Sequence, residues 1–378
     1  MNRSYRIIAA GLLSLAAFWA LRLVPPGAGP GCADAMVRAG HIMEQAILAI
    51  RSQREQAGAA FDLQSDPNRT GLIGPEESPL MTTLGDLEAK RSTTNPNVAA
   101  YLVYLLCQAG VGPGDRIAIA SSGSFPALLV ASLAAAKALE VVPVTILSLG
   151  ASSYGATHPD FTLLDIYNIL QRERICNVPP AAVSLGGDKD VGLDLEAEIR
   201  EQLVQKMQAS GIPFLHEPDL GRNVAERLRI YQLGAVGKIA AFINSGGGYA
   251  TLGTSPLALD VRPGLNRNLT LPAAAERGVL FEMSALEVPV IHLLFIKGLV
   301  TQAGLPWDPI PLPEPGMLPL IGAGRTGGFW LLSAGYFALL FLLAVYRGES
   351  PPADREASGS PPGRTSVSRD PPAPTETS

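Results

Sequence analysis

Residues 82–150 constrain the fold more than any other part of this sequence, because they alternate between helical and strand patterns without interruption. The apolar run 97–108 and the Ala/Leu-rich run 127–138 predict two largely buried helices. The shorter apolar runs 116–120 and 141–149 are typical of strands that are covered on both faces. A strand, a helix and a second strand in this order form a βαβ unit, which predicts a parallel sheet.

The sequence on either side of this unit extends the same pattern. Residues 33–56 place apolar side chains at helical spacing and predict a long amphipathic helix that packs onto the sheet. The apolar run 238–243 predicts a further buried strand. With 47% hydrophobic residues in 378, the chain has enough apolar material for a sizeable core. We therefore expect an α/β fold with a parallel or mostly parallel sheet in three Rossmann-like layers.

Two apolar segments near the ends of the chain predict transmembrane helices that flank this fold. Residues 7–24 follow Arg3 and Arg6, a pattern typical of an uncleaved signal anchor or of a cleaved signal peptide. The absence of a small-x-small cleavage motif favours the anchor. Residues 327–346 contain no charged residue and have about the length that a membrane-spanning helix needs. A buried core helix is the alternative interpretation of this second segment.

These patterns divide the chain into five predicted parts. They are an N-terminal anchor with a short linker (1–32), an α/β domain (33–304), a proline-rich stalk or strap (305–326), a transmembrane helix (327–346) and a disordered Pro/Ser-rich tail (347–378). Arginines before the first apolar segment and after the second predict that both termini are cytoplasmic. The expected protein is therefore a two-pass protein of the cell membrane whose α/β domain is extracytoplasmic.

Charge and cysteine content exclude several classes of function. The net charge of −5, without a basic cluster, argues against nucleic acid as a partner. The three cysteines, Cys32, Cys107 and Cys176, have no paired spacing, so neither a disulfide framework nor a zinc site is predicted. The glycine-rich turns 121–124 and 244–248 are neither a Walker loop nor a GxGxxG fingerprint. The sequence therefore predicts no metal and no cofactor.

Two turns that follow predicted strands are the candidate binding site. Their residues are Ser121, Ser122, Gly123 and Ser124 in the first turn, and Asn244, Ser245, Gly246, Gly247 and Gly248 in the second. Glycine allows close approach of the backbone to a ligand, and a turn that leads into a helix exposes unpaired N–H groups. We therefore predict that the two turns form one pocket for a phosphate or a carboxylate. Tight turns at the sheet edge that bind nothing are the alternative.

A serine hydrolase is a second interpretation of the first turn, with Ser124 or Ser122 as the nucleophile. His158 is the better of two candidate bases, the other being His216, because aspartates that could orient it lie nearby in the sequence. Neither serine, however, has the small-x-Ser-x-Gly surroundings of a nucleophile elbow. We therefore expect binding rather than catalysis.

Two further polar groups have structural interpretations. Lys90 and Arg91 lie in a polar segment and could meet an anion, but a solvated face is the favoured interpretation. His292 lies in the apolar run 288–295, which is more typical of a core residue than of a catalytic one.

Several short runs carry a resemblance to a known family. They are MTTLG (81–85), KRSTTNPN (90–97), SGSFPAL (122–128), SLGAS (148–152), FINSGGG (242–248) and VPVIHLL (288–294). Together they resemble the poly-gamma-glutamate system protein family over most of residues 33–315. The resemblance implies a membrane-associated accessory protein of bacterial poly-γ-glutamate (capsule) production, which acts beside the ATP-dependent ligase and the membrane subunit of the synthase. It implies no catalytic residue.

The resemblance and the two turns agree on one chemical point. Poly-γ-glutamate carries a free α-carboxylate on every unit, so a protein that handles it needs anion-binding groups rather than a redox cofactor. The predicted function is an accessory role in synthesis or export, in which the turns bind the anionic polymer or a synthase subunit. A serine hydrolase or transpeptidase that trims or transfers the polymer, and a purely structural scaffold of the synthase complex, are the alternatives.

Overall fold

The computed structural model describes residues 3–23, 31–232, 238–322 and 327–345. The chain divides into two compact units. The larger unit, Pro25–Gly327, contains all the strands of the described chain, and the smaller comprises Met1–Val24 and Gly328–Ser378. The predicted disordered tail, residues 347–378, lies outside the described residues.

The strands, in chain order, are β1 (Met81–Thr83), β2 (Arg116–Ser122), β3 (Val142–Ser148), β4 (Ala151–Ser152), β5 (Ala182–Ser184), β6 (Phe214–Leu215), β7 (Ile239–Ser245), β8 (Gly264–Asn266) and β9 (Val290–His292). The α-helices are α1 (Arg3–Leu23), α2 (Ala33–Gln56), α3 (Leu87–Thr93), α4 (Asn97–Ala109), α5 (Pro126–Leu139), α6 (Leu163–Arg172), α7 (Ala197–Ala209), α8 (Leu220–Gln232), α9 (Tyr249–Leu252), α10 (Val279–Ala285), α11 (Ile296–Ala303) and α12 (Gly327–Val345).

Seven strands form the central sheet in the order β6-β5-β3-β2-β7-β9-β8. All neighbours are parallel except β8, which runs antiparallel to β9 at one edge. The separate strands β1 and β4 pair in parallel beside it. The predicted α/β fold with a mostly parallel sheet is therefore confirmed.

Alternate residues of the central strands face two separate cores, as the period of a strand requires. Ile117 and Ile119 of β2 belong to the core shared with α2, α4, α5 and α6. Ala118 and Ala120 belong to the core shared with α8 and α10. Helices thus cover both faces of the sheet, which gives three layers.

The helices begin and end where local chemistry dictates. Pro126 occupies the first turn of α5, where its missing N–H costs nothing, and almost every residue of that helix is buried. Gly110 ends α4 with a φ of 91°, a left-handed conformation that glycine adopts without strain. Both helices contact strands of the central sheet.

The structure corrects one part of the expected fold, the two transmembrane helices. Among the described residues, no helix is long and apolar enough to cross a membrane. α1 contains three arginines, Arg3, Arg6 and Arg22. The prediction of two flanking spans is therefore wrong.

The proline-rich segment 305–318 lies along the α/β domain as a strap. Leu305 and Leu318 are buried at its two ends. Between them, the Trp307 indole donates to a Glu88 carboxylate oxygen at 2.7 Å. The segment is thus held to the domain by both apolar and polar contacts.

Candidate functional site

The two Ser/Gly-rich turns lie side by side at the carboxyl edge of the sheet. β3, β5 and β6, which follow β2 in the chain, lie on one side of β2 in the sheet. β7, which comes later, lies on the other side of β2. The strand order therefore reverses between β2 and β7, and α/β folds bind ligands in the crevice at such a point. Ser121 pairs with Ser245, so the two strands end at the same height.

The strands extend further than the sequence pattern indicates. Ser121 and Ser122 still pair with β3, and Asn244 and Ser245 are the last residues of β7. Four residues that were predicted to lie in turns are therefore in strands. The turns themselves begin at Gly123 and at Gly246.

A cavity of about 290 Å³ opens at this edge. Five residues with hydroxyl side chains line it, namely Thr82, Thr83, Ser122, Ser124 and Ser148. Glycine backbone from several loops, the Tyr249 ring and the Asp194 carboxylate complete the lining. Of the predicted site residues, Ser122, Ser124, Gly247 and Gly248 thus line the cavity, while Ser121, Gly123, Asn244, Ser245 and Gly246 lie behind that lining. Their role in binding stays a prediction.

Some glycines around the cavity are required by packing. A Cβ added to Gly123 would lie 2.6 Å from the Leu149 carbonyl oxygen. A Cβ added to Gly246 would lie 2.6 Å from Ser122 Oγ. The N–H groups of these two glycines are also occupied, since Gly123 donates to the Ser148 carbonyl and Gly246 donates to Asn244 Oδ1. Neither N–H is available to a ligand.

Gly247 and Gly248 differ from these glycines, because the fold does not require glycine at either position. An added Cβ would find its nearest neighbours at ordinary contact distances, 3.8 Å for Gly247 and 3.9 Å for Gly248. Gly248 has φ −63° and ψ 145°, a conformation that any residue can adopt. Their N–H groups donate to no group within the described part of the chain. Both glycines line the cavity, and their missing side chains widen it.

Asn244 and His292 hold this second turn in place. Asn244 Oδ1 accepts the Gly246 N–H at 3.1 Å, and Asn244 Nδ2 lies 3.0 Å from His292 Nδ1. Burial lowers the pKa of His292 to about 4, so the ring is neutral at physiological pH. If Asn244 Nδ2 donates, His292 Nδ1 accepts and its proton resides on Nε2. His292 is therefore a core residue, as expected, with a positioning role.

The hydrolase residues do not come together. His158 lines a different cavity, of about 820 Å³, between the end of α2 and α6. Its Nδ1 accepts the Asp160 N–H at 3.3 Å. No hydrogen bond joins it to Ser122 or Ser124 in the described residues. His158 is therefore not placed to act as a base for Ser122 or Ser124.

Lys90 supports the Ser124 turn from inside the protein, although the sequence pattern predicts a solvated side chain. Its side chain is only 2% exposed, so the expected solvated face is wrong. Nζ donates to the Ser124 carbonyl oxygen and to Ser152 Oγ, and lies 4.0 Å from the centre of the Phe125 ring. Burial lowers the pKa of Lys90 to about 7, although the Asp86 carboxylate opposes this shift. When protonated, Lys90 places a positive charge behind the Ser124 turn.

Lys90 also makes stability depend on pH. Its folded pKa of about 7 lies below its ordinary value of 10.5, so the unfolded chain binds more protons between these values. The free energy of unfolding then rises with pH, by up to about 1.4 kcal/mol per pH unit. We expect Lys90→Met to remove this slope between about pH 7 and 9.5, as measured by denaturant unfolding at each pH. The exposed Lys137→Met serves as the control, and equal slopes in wild type and Lys90→Met would contradict the assignment.

A buried polar network supports the cavity from beneath. Arg227 donates to Asp190 Oδ2 at 2.7 Å and to Ser184 Oγ at 2.9 Å, and both charged residues are 1% exposed. Ser184 Oγ lies 2.8 Å from the Oγ of Ser148, which lines the cavity. Asn223 Nδ2 adds a donor to Asp190 Oδ2 at 3.0 Å. This network fixes the ends of β3 and β5.

One side of the cavity is acidic. Asp194 lines it and accepts the Asp188 N–H at 2.8 Å. Burial raises the pKa of Tyr249, and the negative charges of Asp219 and Asp188 raise it further. No local signal in the sequence indicates Asp194, because it lies in an irregular loop with no motif around it. The glycine pair and Asp194 thus give the cavity donors and a negative charge.

No family model, no curated protein and no solved structure matches this chain. The resemblance to the poly-gamma-glutamate system proteins therefore rests on the short runs given above. Four of these runs, 81–85, 122–128, 148–152 and 242–248, contribute residues to the lining of the cavity.

Proposed function

We propose that this protein binds poly-γ-glutamate in the cavity at the carboxyl edge of the sheet, as an accessory protein of polymer synthesis or export. The observation that carries the proposal is the pair Gly247 and Gly248. Neither glycine is explained by packing or by backbone conformation, both line the cavity, and their N–H groups donate to no group within the described residues. Close approach of a ligand to the backbone explains both features.

The remaining lining suits a carboxylate ligand. Ser122 and Ser124 line the same cavity as the two glycines, and hydroxyl donors form strong charge-assisted hydrogen bonds to carboxylates. Protonated Lys90 behind Ser124 adds a favourable field. At about 290 Å³, the cavity lies at the small end of ligand pockets, which suits one polymer unit rather than a long stretch.

A binding role accounts for the geometry better than hydrolysis does. The serines that line the cavity have no histidine partner among the described residues, so no general base activates them. Within this proposal the protein acts beside the ligase and the membrane subunit of the synthase. Its cellular location stays a prediction from the sequence.

Calorimetric titration of the full-length protein with poly-γ-glutamate of defined length tests the proposal. Polyaspartate of matched length serves as the charge control, and each titration is run at low and at physiological salt. We expect saturable binding that prefers the γ-linked polymer and survives at physiological salt. Absence of binding, or equal affinity for polyaspartate, would contradict the proposal and favour a scaffold without a polymer site.

A further inference from the structure

We propose that the cavity recognises the end of a γ-glutamyl chain that carries a free amino group. In this arrangement Asp194 binds the α-ammonium group, and the N–H groups of Gly247 and Gly248 bind the α-carboxylate of the same unit. The inference rests on the proposed function and deepens it, because it replaces an anion site with a site for an α-amino-acid head group.

The carboxylate of Asp194 has no cationic partner within the described residues. Its Oδ1 accepts the Asp188 N–H, and no lysine or arginine of the described chain pairs with the carboxylate. The charges of Asp188 and Asp219 reach Tyr249, the next lining residue. A ligand that offers only carboxylates would be repelled on this side of the cavity.

Gly247, Gly248 and Asp194 line the same small cavity. Gly248 leads directly into α9, and α9 packs against the 3₁₀ turn Asp188–Asp190. The Asp188 N–H in turn holds Asp194. The loop after β7 therefore reaches across the sheet edge toward the loop that carries Asp194, so that both line the same cavity of about 290 Å³.

The polymer offers a matching group only at one end. In an interior unit the α-nitrogen is a neutral amide, so the unit presents a carboxylate and no cation. The unit at the amino end carries an ammonium group and a carboxylate on the same carbon atom. That unit satisfies both kinds of lining group, and its charge-assisted hydrogen bonds are stronger than those between neutral groups.

Titration of the full-length protein with small ligands tests this inference. The ligands are γ-glutamylglutamate, its N-acetylated form and free glutamate. We expect γ-glutamylglutamate to bind at least about tenfold more tightly than the N-acetylated form, and at least as tightly as free glutamate. Asp194→Asn should abolish the preference for the free amine, because it removes the charge while an amide oxygen still accepts the Asp188 N–H. Asp160→Asn, in the other cavity, should leave the preference unchanged.

The outcomes separate this inference from the proposed function. Equal binding of the free and acetylated dipeptides, or a preference that survives Asp194→Asn, would overturn the inference. If polymer with acetylated ends still binds as tightly as the free polymer, the inference fails although polymer binding stands. Tighter binding of free glutamate than of the dipeptide would overturn the assignment to a chain end. A preference for free amine without polymer binding would support head-group recognition and contradict the proposed function.

Discussion

Arg227→Met is expected to lower the free energy of unfolding by about 3–5 kcal/mol. Arg227 and Asp190 are almost fully buried and pair at 2.7 Å. Removing the guanidinium group would leave a carboxylate in the core with no opposite charge. Urea unfolding of the full-length protein measures the loss, and its transition midpoint should fall without a change in the slope if only stability is affected.

Two variants make this prediction specific to a buried pair. Arg229→Met lies on the same helix and breaks an exposed pair with Glu226, so it should cost far less stability than Arg227→Met. Adding Asp190→Asn to Arg227→Met removes the unpaired charge and should recover part of the loss. Asparagine tolerates the left-handed conformation of Asp190, whose φ is 61°. Equal losses for Arg227→Met and Arg229→Met would refute the account of the network.

Gly246→Ala is expected to destabilise the protein by about 1–3 kcal/mol, whereas Gly247→Ala should change its stability by less than about 0.5 kcal/mol. The Cβ at position 246 would lie 2.6 Å from Ser122 Oγ and 2.9 Å from Ser122 N, and it would push β7 away from β2. The Cβ at position 247 meets its nearest neighbour, Leu294, at 3.8 Å. Thermal unfolding of the two adjacent variants checks this directly. If both lose stability equally, Gly247 is also a packing glycine, and the argument for a ligand there fails.

The sequence predicts the helices and strands whose signals are local. Residues 33–56 were expected to form an amphipathic helix, and α2 has these bounds. The expected helix 97–108 corresponds to α4, which is one residue longer. Apolar periodicity identifies such elements because one face of each is buried whatever its partner. The partner itself is less predictable: α2 packs on α4 and α5 rather than directly on the sheet.

The candidate site is harder to predict from the sequence than the helices and strands are, because its chemistry depends on residues that lie far apart in the sequence. Asp190 and Arg227 are 37 positions apart, and neither has a motif that indicates an ion pair. Lys90 lies in a polar segment, yet tertiary packing buries it under the Ser124 turn. The serines that end β2 were expected in a turn, since serine and glycine are turn residues and pairing with β3 has no local signal.

The most direct test of the account is the affinity of Gly247→Leu for poly-γ-glutamate. Gly112→Leu is the matched control, because Gly112 precedes β2 at the opposite edge of the sheet and its added Cβ would meet nothing within 4 Å. We expect Gly247→Leu to weaken binding at least about tenfold at an unchanged unfolding temperature, and Gly112→Leu to bind as the wild type does. Wild-type affinity in Gly247→Leu would show that the polymer does not bind in this cavity.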